Sequence, residues 1–292
     1  MTKAAMQPGL VTISGCIDAQ KPHMIYTLGR TRSRRLIVTF HEQKAKELYD
    51  DYRFFDPSVV YYPAKDVLFY QSDIRGNLLT AERISALRAI HENEQVTVIT
   101  TFDALMNTMP RDAQVWDSVL HIAQGDTLDL DALVEQLVRM GYERQYQVDN
   151  IGQFALRGGI LDIFPLTEEN PVRIELWDDE VDSIRSFDAE SQRSLENVDE
   201  ITIYPAAEKM DGEDMVSFLD YFPEEKTLVF LDELNHLAEN GEGVEEEYRQ
   251  SRMHREEKGE ANLPEQWLCG FQELQKKLNR RNCVAVSALS PR

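Results

Sequence analysis

The chain reads as an α/β protein in which a parallel-sheet domain is interrupted by a smaller α+β module. Three observations carry this reading. Arg35–Phe40 (RLIVTF), Val96–Thr100 and Thr227–Leu231 are continuous apolar, β-branched runs of the kind a parallel sheet buries on both faces. Segments of helical spacing lie between the first two runs, the rhythm of strand–helix–strand units. Residues 154–193 differ: apolar and polar side chains alternate there between tight turns, the pattern of half-buried strands.

With 292 residues at 42% hydrophobic, the chain can bury a sizeable core and form two or three domains. Its formal net charge of −21 is a poor match to phosphate backbones, which argues against DNA binding as the main task of this segment. Cys16, Cys269 and Cys283 show neither metal-ligand spacing nor a disulfide framework, so no metal is expected, and a reducing cytoplasm is. No apolar run approaches the roughly 18 residues a membrane span needs, and the N-terminus lacks the apolar core of a signal peptide.

In chain order, Leu10–Ser14 is a short strand and Arg35–Phe40 a buried one. Glu42–Phe55 carries Ala45, Leu48, Tyr49 and Tyr52 at helical spacing. Val59–Tyr62 is a further strand, Thr80–His91 a helix with Thr80 as its N-cap, and Val96–Thr100 a strand followed by Phe102–Asn107. This alternation indicates a doubly wound or RecA-like sheet. A loop at Gly125-Asp126-Thr127 precedes a helix over Asp129–Met140, with Leu130, Leu133, Val134, Leu137 and Val138 on its apolar side and Gly141 ending it. Residues 123–206 form one α+β unit. Beyond it, Glu239–Glu247 reads as an acidic, glycine-containing loop, Glu245–Lys258 as an exposed helix, Trp267–Leu278 as a closing helix and Val284–Ser287 as a last strand.

A parallel sheet invites a search for a phosphate loop after its first strand. Gly15–Pro22 (GCIDAQKP) holds the frame G-x-x-x-x-G-K-[ST] with Gln20 for the second glycine and Pro22 for the hydroxyl residue. Pro22 offers no magnesium ligand and removes an N–H, and Asp18 sets a negative charge inside the cradle. Whether Gly15 and Lys21 are relics or fall in frame by chance, the loop is expected to bind ATP poorly. Thr227–Glu233 has the shape of a Walker B strand ending in two acids, Asp232 and Glu233. The plainer alternative is a strand followed by a helix capped by Asp232.

The 154–193 stretch opens with Arg157-Gly158-Gly159, and the glycines would permit a bulge that throws Arg157 outward. Val172, Ile174 and Leu176 alternate with Arg173, Glu175 and Trp177, which puts Arg173 and Trp177 on one solvent-side face. Trp177 is either half buried at a sheet edge or an exposed anchor for a partner, since tryptophan and arginine are enriched in interface hot spots.

The strings RGGILDIFP, RIELWDDEVDSIRSFD and SQR resemble the UvrA-binding domain shared by UvrB and the bacterial transcription-repair coupling factors (Mfd). Two departures favour the second family: the broken phosphate loop, and an interval Tyr62–Asp73 too short for the DNA-gripping hairpin of UvrB. Asp66, Tyr70 and Glu82–Leu87 also look like the corresponding Mfd passage. The resemblance implies an N-terminal module with a degenerate RecA-like (P-loop-derived) domain over 1–122, an inserted UvrA-binding domain over 123–206, and an α/β segment over 207–292 packing on the first. Arg157, Arg173 and Trp177 would contact UvrA, with Arg185 and Arg193 as weaker candidates, the alternative for these two being pairing with the many nearby Asp and Glu side chains. Trp177 departs from the phenylalanine of some relatives, yet stays a large aromatic. Gly15, Lys21, Asp232 and Glu233 would be vestiges of a nucleotide site. The implied function is non-catalytic recruitment of UvrA to stalled RNA polymerase for nucleotide excision repair. ATP, magnesium, RNA polymerase and double-stranded DNA would belong to a motor and other domains beyond this segment, and a C-terminal domain would mask the UvrA surface in the intact protein. The alternatives are a UvrB-like nucleotide-dependent repair subunit with residual ATP binding, and a scaffold with unrelated partners.

Overall fold

The computed structural model describes residues 9–65, 74–111, 116–206, 215–260 and 263–288. Asp66 and Tyr70, and most of the interval Tyr62–Asp73, lie outside those residues. The chain divides into two compact units, one of residues 1–70, 86–111 and 210–292 and one of residues 71–85 and 112–209.

The first unit opens with β1 (Gly9–Cys16), α1 (Lys21–Gly29), β2 (Arg34–Thr39), α2 (Glu42–Tyr52) and β3 (Val60–Tyr62). Then come α3 (Ile74–Glu92), of which residues 74–85 belong to the second unit and the rest to the first, and β4 (Val96–Thr101), α4 (Phe102–Met106) and β5 (Thr108–Pro110). Thr80 therefore lies inside α3 and does not cap it: the helix starts six residues earlier, through Gly76-Asn77, a pair that reads as a turn in isolation. Tertiary context overrides such weak local preferences.

The second unit contains β6 (Leu120–Ala123), α5 (Leu130–Arg139), β7 (Glu143–Arg144), β8 (Gln153–Arg157) and β9 (Ile160–Ile163). It continues with β10 (Val172–Trp177), β11 (Glu180–Phe187), β12 (Ser194–Val198) and β13 (Glu200–Ile203). The chain then returns to the first unit with β14 (Met215–Ser217), β15 (Thr227–Asp232), α6 (Leu234–Lys258), α7 (Phe271–Asn279) and β16 (Asn282–Ala288).

The first unit is built on a six-stranded sheet in the order β1-β16-β15-β2-β4-β3, with every described pair parallel. Every residue of β4 and β15 is buried, as continuous apolar runs require when both sheet faces are covered. One face packs Ile37, Ile99, Phe230 and Val284 against Ile25 and Leu28 of α1 and Ala45, Leu48 and Tyr52 of α2. The segment Glu239–Glu247 is helical and not a loop: α6 runs through it without interruption. A Cβ at Gly241 would stand 2.6 Å from the rings of Phe102 and Phe271, so glycine is what lets α6 approach α4 and α7. Glycine there reflects close packing, which no local rule reveals.

The second unit has a six-stranded sheet ordered β12-β11-β10-β9-β8-β7, antiparallel except for β7 with β8. Its core face packs Phe154, Leu161, Ile163, Ile174 and Ile184 with Leu133 and Leu137 of α5. Asp129 caps α5, its Oδ1 accepting from the backbone N–H of Asp131 and Ala132 at 3.0 Å each. At the other end, Gly141 and Tyr142 donate their N–H groups to the carbonyls of Val138 and Leu137 at 3.0 Å, the paired bonds of a Schellman ending. Val138 is exposed, so the buried stripe of α5 is narrower than its apolar sequence.

Candidate functional sites

Two places gather the residues singled out by the sequence. The first is the cluster around Lys21. β1 does not open into a wrapping loop after Ser14. Gly15, at φ 89°, is an extra bulged residue, and pairing with β16 resumes at Cys16–Ala288. Only Ile17–Gln20 separate the strand from α1, and Asp18–Gln20 form a single 3-10 turn. Lys21 is the first residue of α1, a position where the helix dipole disfavours a cation. Three carboxylates offset this. Lys21 Nζ lies 2.7 Å from Asp232 Oδ1, 2.7 Å from Glu233 Oε1 and 2.9 Å from Asp18 Oδ1. An ammonium has three donors, so the geometry uses all of them internally.

Burial alone would lower the pKa of Lys21, but hydrogen bonds to Asp232, Glu233 and Asp18 outweigh it and hold the value well above that of a free lysine. Desolvation raises Asp232 above the ordinary carboxylate range against the pull of Lys21. Glu233 is also desolvated, yet Lys21 and the Ala288 N–H, which donates to its Oε1 at 2.6 Å, keep its value below the ordinary one. Asp232 does not cap α6. The residue before the helix is Glu233, at φ 55° with no side-chain capping bond. A cavity of about 570 Å³ lies beside the cluster, lined by Thr12, Asp18, Phe40, Lys44, Glu233 and His236. Among the described residues, no group of three or more histidine, cysteine or acidic side chains is placed to hold a metal ion.

The second place is the outer face of the antiparallel sheet. Gly158-Gly159 make the two-residue turn of the β8–β9 hairpin, with Arg157 paired to Ile160 and Gly158 at φ +60°. This is a tight turn and not a bulge, so Arg157 is held by regular pairing. Strand alternation sends Leu161 and Ile163 to the core and Asp162 to the opposite face, where it is fully buried. Asp162 Oδ2 accepts from Arg157 Nη2 at 2.5 Å and from Arg173 Nη2 at 2.9 Å, and its Oδ1 accepts from Arg173 Nε at 2.6 Å. The bond to Asp162 raises the pKa of Arg173 further, and its guanidinium lies 4.7 Å from the Phe187 ring centre.

Arg185 faces Arg173 directly across β10 and β11 and pairs with Glu175, so each of the opposed arginines has its own carboxylate. Trp177 is 82% exposed at the end of β10, where Asp178-Asp179 turn the chain into β11. It is thus an exposed aromatic and not a half-buried edge residue. Arg193 is exposed in the 188–193 turn, its carbonyl accepting from the Asp188 N–H at 2.9 Å, and no described ion pair joins it to the cluster. Three arginines therefore stand over two carboxylates beside an exposed tryptophan. Sequence reasoning missed Asp162. The available signal was an acid in the apolar run ILDIF, out of phase with the core-facing Leu161 and Ile163.

An antiparallel sheet whose outer face carries three arginines and an exposed tryptophan presents residue types enriched in protein–protein interfaces. A family model described as the UvrB interaction domain matches residues 120–208, the stretch that carries this face. The transcription-repair-coupling factor of Staphylococcus aureus (strain USA300) is 36% identical over 211 residues, which covers 71% of this chain and 18% of the relative. That of Bacillus subtilis (strain 168) is 38% identical over 175 residues, covering 59% and 15%. That of Staphylococcus haemolyticus (strain JCSC1435) is 36% identical over 193 residues, covering 65% and 16%. The chain is a UvrB-homologous module of the transcription-repair coupling factor (Mfd) family. The matched stretch spans less than a fifth of the length of these curated relatives. No helix among the described residues is long and apolar enough to cross a membrane.

Proposed function

We propose that this chain is a non-catalytic, cytoplasmic recruiting module that binds UvrA through the outer face of its antiparallel sheet, in the service of transcription-coupled excision repair. The observation that carries the reading is the juxtaposition of Arg157 and Arg173 on a shared buried carboxylate with an exposed Trp177 on the same strand face, inside a UvrB interaction domain. The two arginines offer fork-shaped donors to acidic side chains, and the indole offers a large apolar anchor. Arg185 extends the cationic strip through Glu175, and Arg193 lies at its margin. We read the parallel sheet as RecA-like and its nucleotide site as degenerate. Lys21 is committed to Asp18, Asp232 and Glu233, and Pro22 supplies no hydroxyl for magnesium, which favours recruitment over a UvrB-like nucleotide-dependent subunit. Contacts with RNA polymerase and double-stranded DNA, an ATP-driven motor, and masking of the face by a C-terminal domain would belong to further parts of a longer polypeptide.

The test is a calorimetric titration of UvrA with the parent chain and with Arg157→Ala and Trp177→Ala. Each substitution removes a group at the centre of the face and is expected to cost about 2 kcal/mol, roughly thirtyfold in Kd. The far-ultraviolet spectrum should stay that of the folded parent in both variants; the urea midpoint should hold in Trp177→Ala and fall in Arg157→Ala, which leaves the buried Asp162 to Arg173 alone. Full affinity in both variants overturns the reading.

A further inference from the structure

Asp162 is 0% exposed, a charged residue set in an apolar strand with Ala155 and Phe187 as buried companions on its side of the sheet. Burying a carboxylate is costly unless charged donors satisfy it, and a side chain needed only for folding would be better apolar. Here both oxygens are taken by guanidinium groups. Arg173 binds bidentately from the directly opposite position on β10, and Arg157 reaches in from the hairpin turn. Two consequences follow. Both forks are fixed, since each is tied to the same rigid strand. One of the two positive charges is also neutralised, which leaves a single charge spread over two planes, with Arg157 the more open at 41% side-chain exposure against 18% for Arg173.

We propose that Asp162 is the positioning residue of this face: it locks Arg157 and Arg173 into one composite fork that receives a single carboxylate of the partner, with Trp177 as the apolar anchor beside it. This rests on the reading of the face as the UvrA-binding surface. Preorganising both side chains removes the ordering cost that two free arginines would carry into the complex.

The experiment compares UvrA affinity for the parent chain, Asp162→Asn, Arg157→Ala/Arg173→Ala, and the triple variant, by calorimetry at two salt concentrations. Asp162→Asn is expected to weaken binding by about tenfold or more. In the double-arginine background the same change should add nothing, because Asp162 acts only through the arginines. A separate readout uses the parent chain alone, with 15N-labelled arginine: the Nε–H of Arg173 should give a slowly exchanging signal that is lost in Asp162→Asn. Parent-like affinity in Asp162→Asn, a full further loss in the triple variant, or rapid exchange at Arg173 Nε in the parent chain overturns the proposal. If Asp162→Asn does not fold, the exchange measurement on the parent chain decides alone. If the double-arginine variant itself binds UvrA fully, the reading of the face fails, a distinct result from failure of the positioning role.

Discussion

Replacing Lys21 by methionine tests how its buried charge cluster is held. The side chains of Lys21 and Asp232 are 3% and 2% exposed and meet at 2.7 Å, so methionine keeps the volume but strands a buried carboxylate. Breaking a buried pair in this way costs about 3–5 kcal/mol. Water can take over part of the load at Glu233 and Asp18, whose side chains are 22% and 59% exposed, which places the expected loss near the lower figure, about 3 kcal/mol. Urea denaturation at neutral pH followed by circular dichroism measures it. The pH dependence supplies a second, independent check. In the parent chain Glu233 and Asp18 titrate below their ordinary values, so their stabilisation is present above the usual carboxylate range and is lost as pH falls through their folded values. In the variant, Asp232 is already raised by burial and loses the opposing bond from Lys21. Its protonated form is the stable one, and stability is lost as pH rises through its folded value. Both trends narrow the gap between parent and variant as the solution is acidified. A loss under about 1 kcal/mol at neutral pH, constant across the acid range, would refute the argument that Lys21 compensates a buried charge.

Other consequences are open to direct measurement. Gly241→Ala adds a methyl 2.6 Å from Phe102 and Phe271 and should cost about 1–3 kcal/mol despite alanine's better helix propensity; a raised melting temperature would contradict it. Asp129→Ala removes two capping bonds of 3.0 Å from α5 and should lower stability by about 1 kcal/mol, seen as a shifted urea midpoint at unchanged slope. ATP with magnesium should give no saturable heat on titration, because all three donors of Lys21 are engaged; micromolar binding would revive the nucleotide-dependent alternative.

Much of the parallel sheet was legible because its strands are fully buried: RLIVTF and TLVFLD have no polar face to hide, so hydrophobicity alone marks them. The outer face of the second sheet was legible by alternation, which set Arg173 and Trp177 on one side without any tertiary knowledge. The misread places depend on contacts distant in sequence. Gly241 and its acidic neighbours read as a loop until Phe102 and Phe271 arrive from elsewhere in the chain. Gly158-Gly159 suits a bulge or a tight turn equally, and pairing of Arg157 with Ile160 decides for the turn. Asp162 escaped notice because its partners sit 5 and 11 residues away on two other segments, and only strand register brings them to one carboxylate.

The two clusters use the same ingredients with opposite stoichiometry, and this separates a closed site from an open one. In the Lys21 cluster one lysine serves three carboxylates, and Lys44 joins Asp18 at 3.0 Å and Glu47 at 3.7 Å, so two cations stand among four acids. An incoming phosphate would meet excess negative charge and a cation with no donor to spare. Within the arginine cluster of the sheet face Arg157, Arg173 and Arg185 stand over Asp162 and Glu175, with one positive charge in excess, and Glu180 stands opposite Trp177 at its edge. In a chain of net charge −21, that local excess is what would let the proposed acidic partner surface be drawn in and not repelled. Geometry completes the contrast. Lys21 is sealed at 3% side-chain exposure, whereas Trp177 projects into solvent beside the arginines, 82% exposed among the described residues.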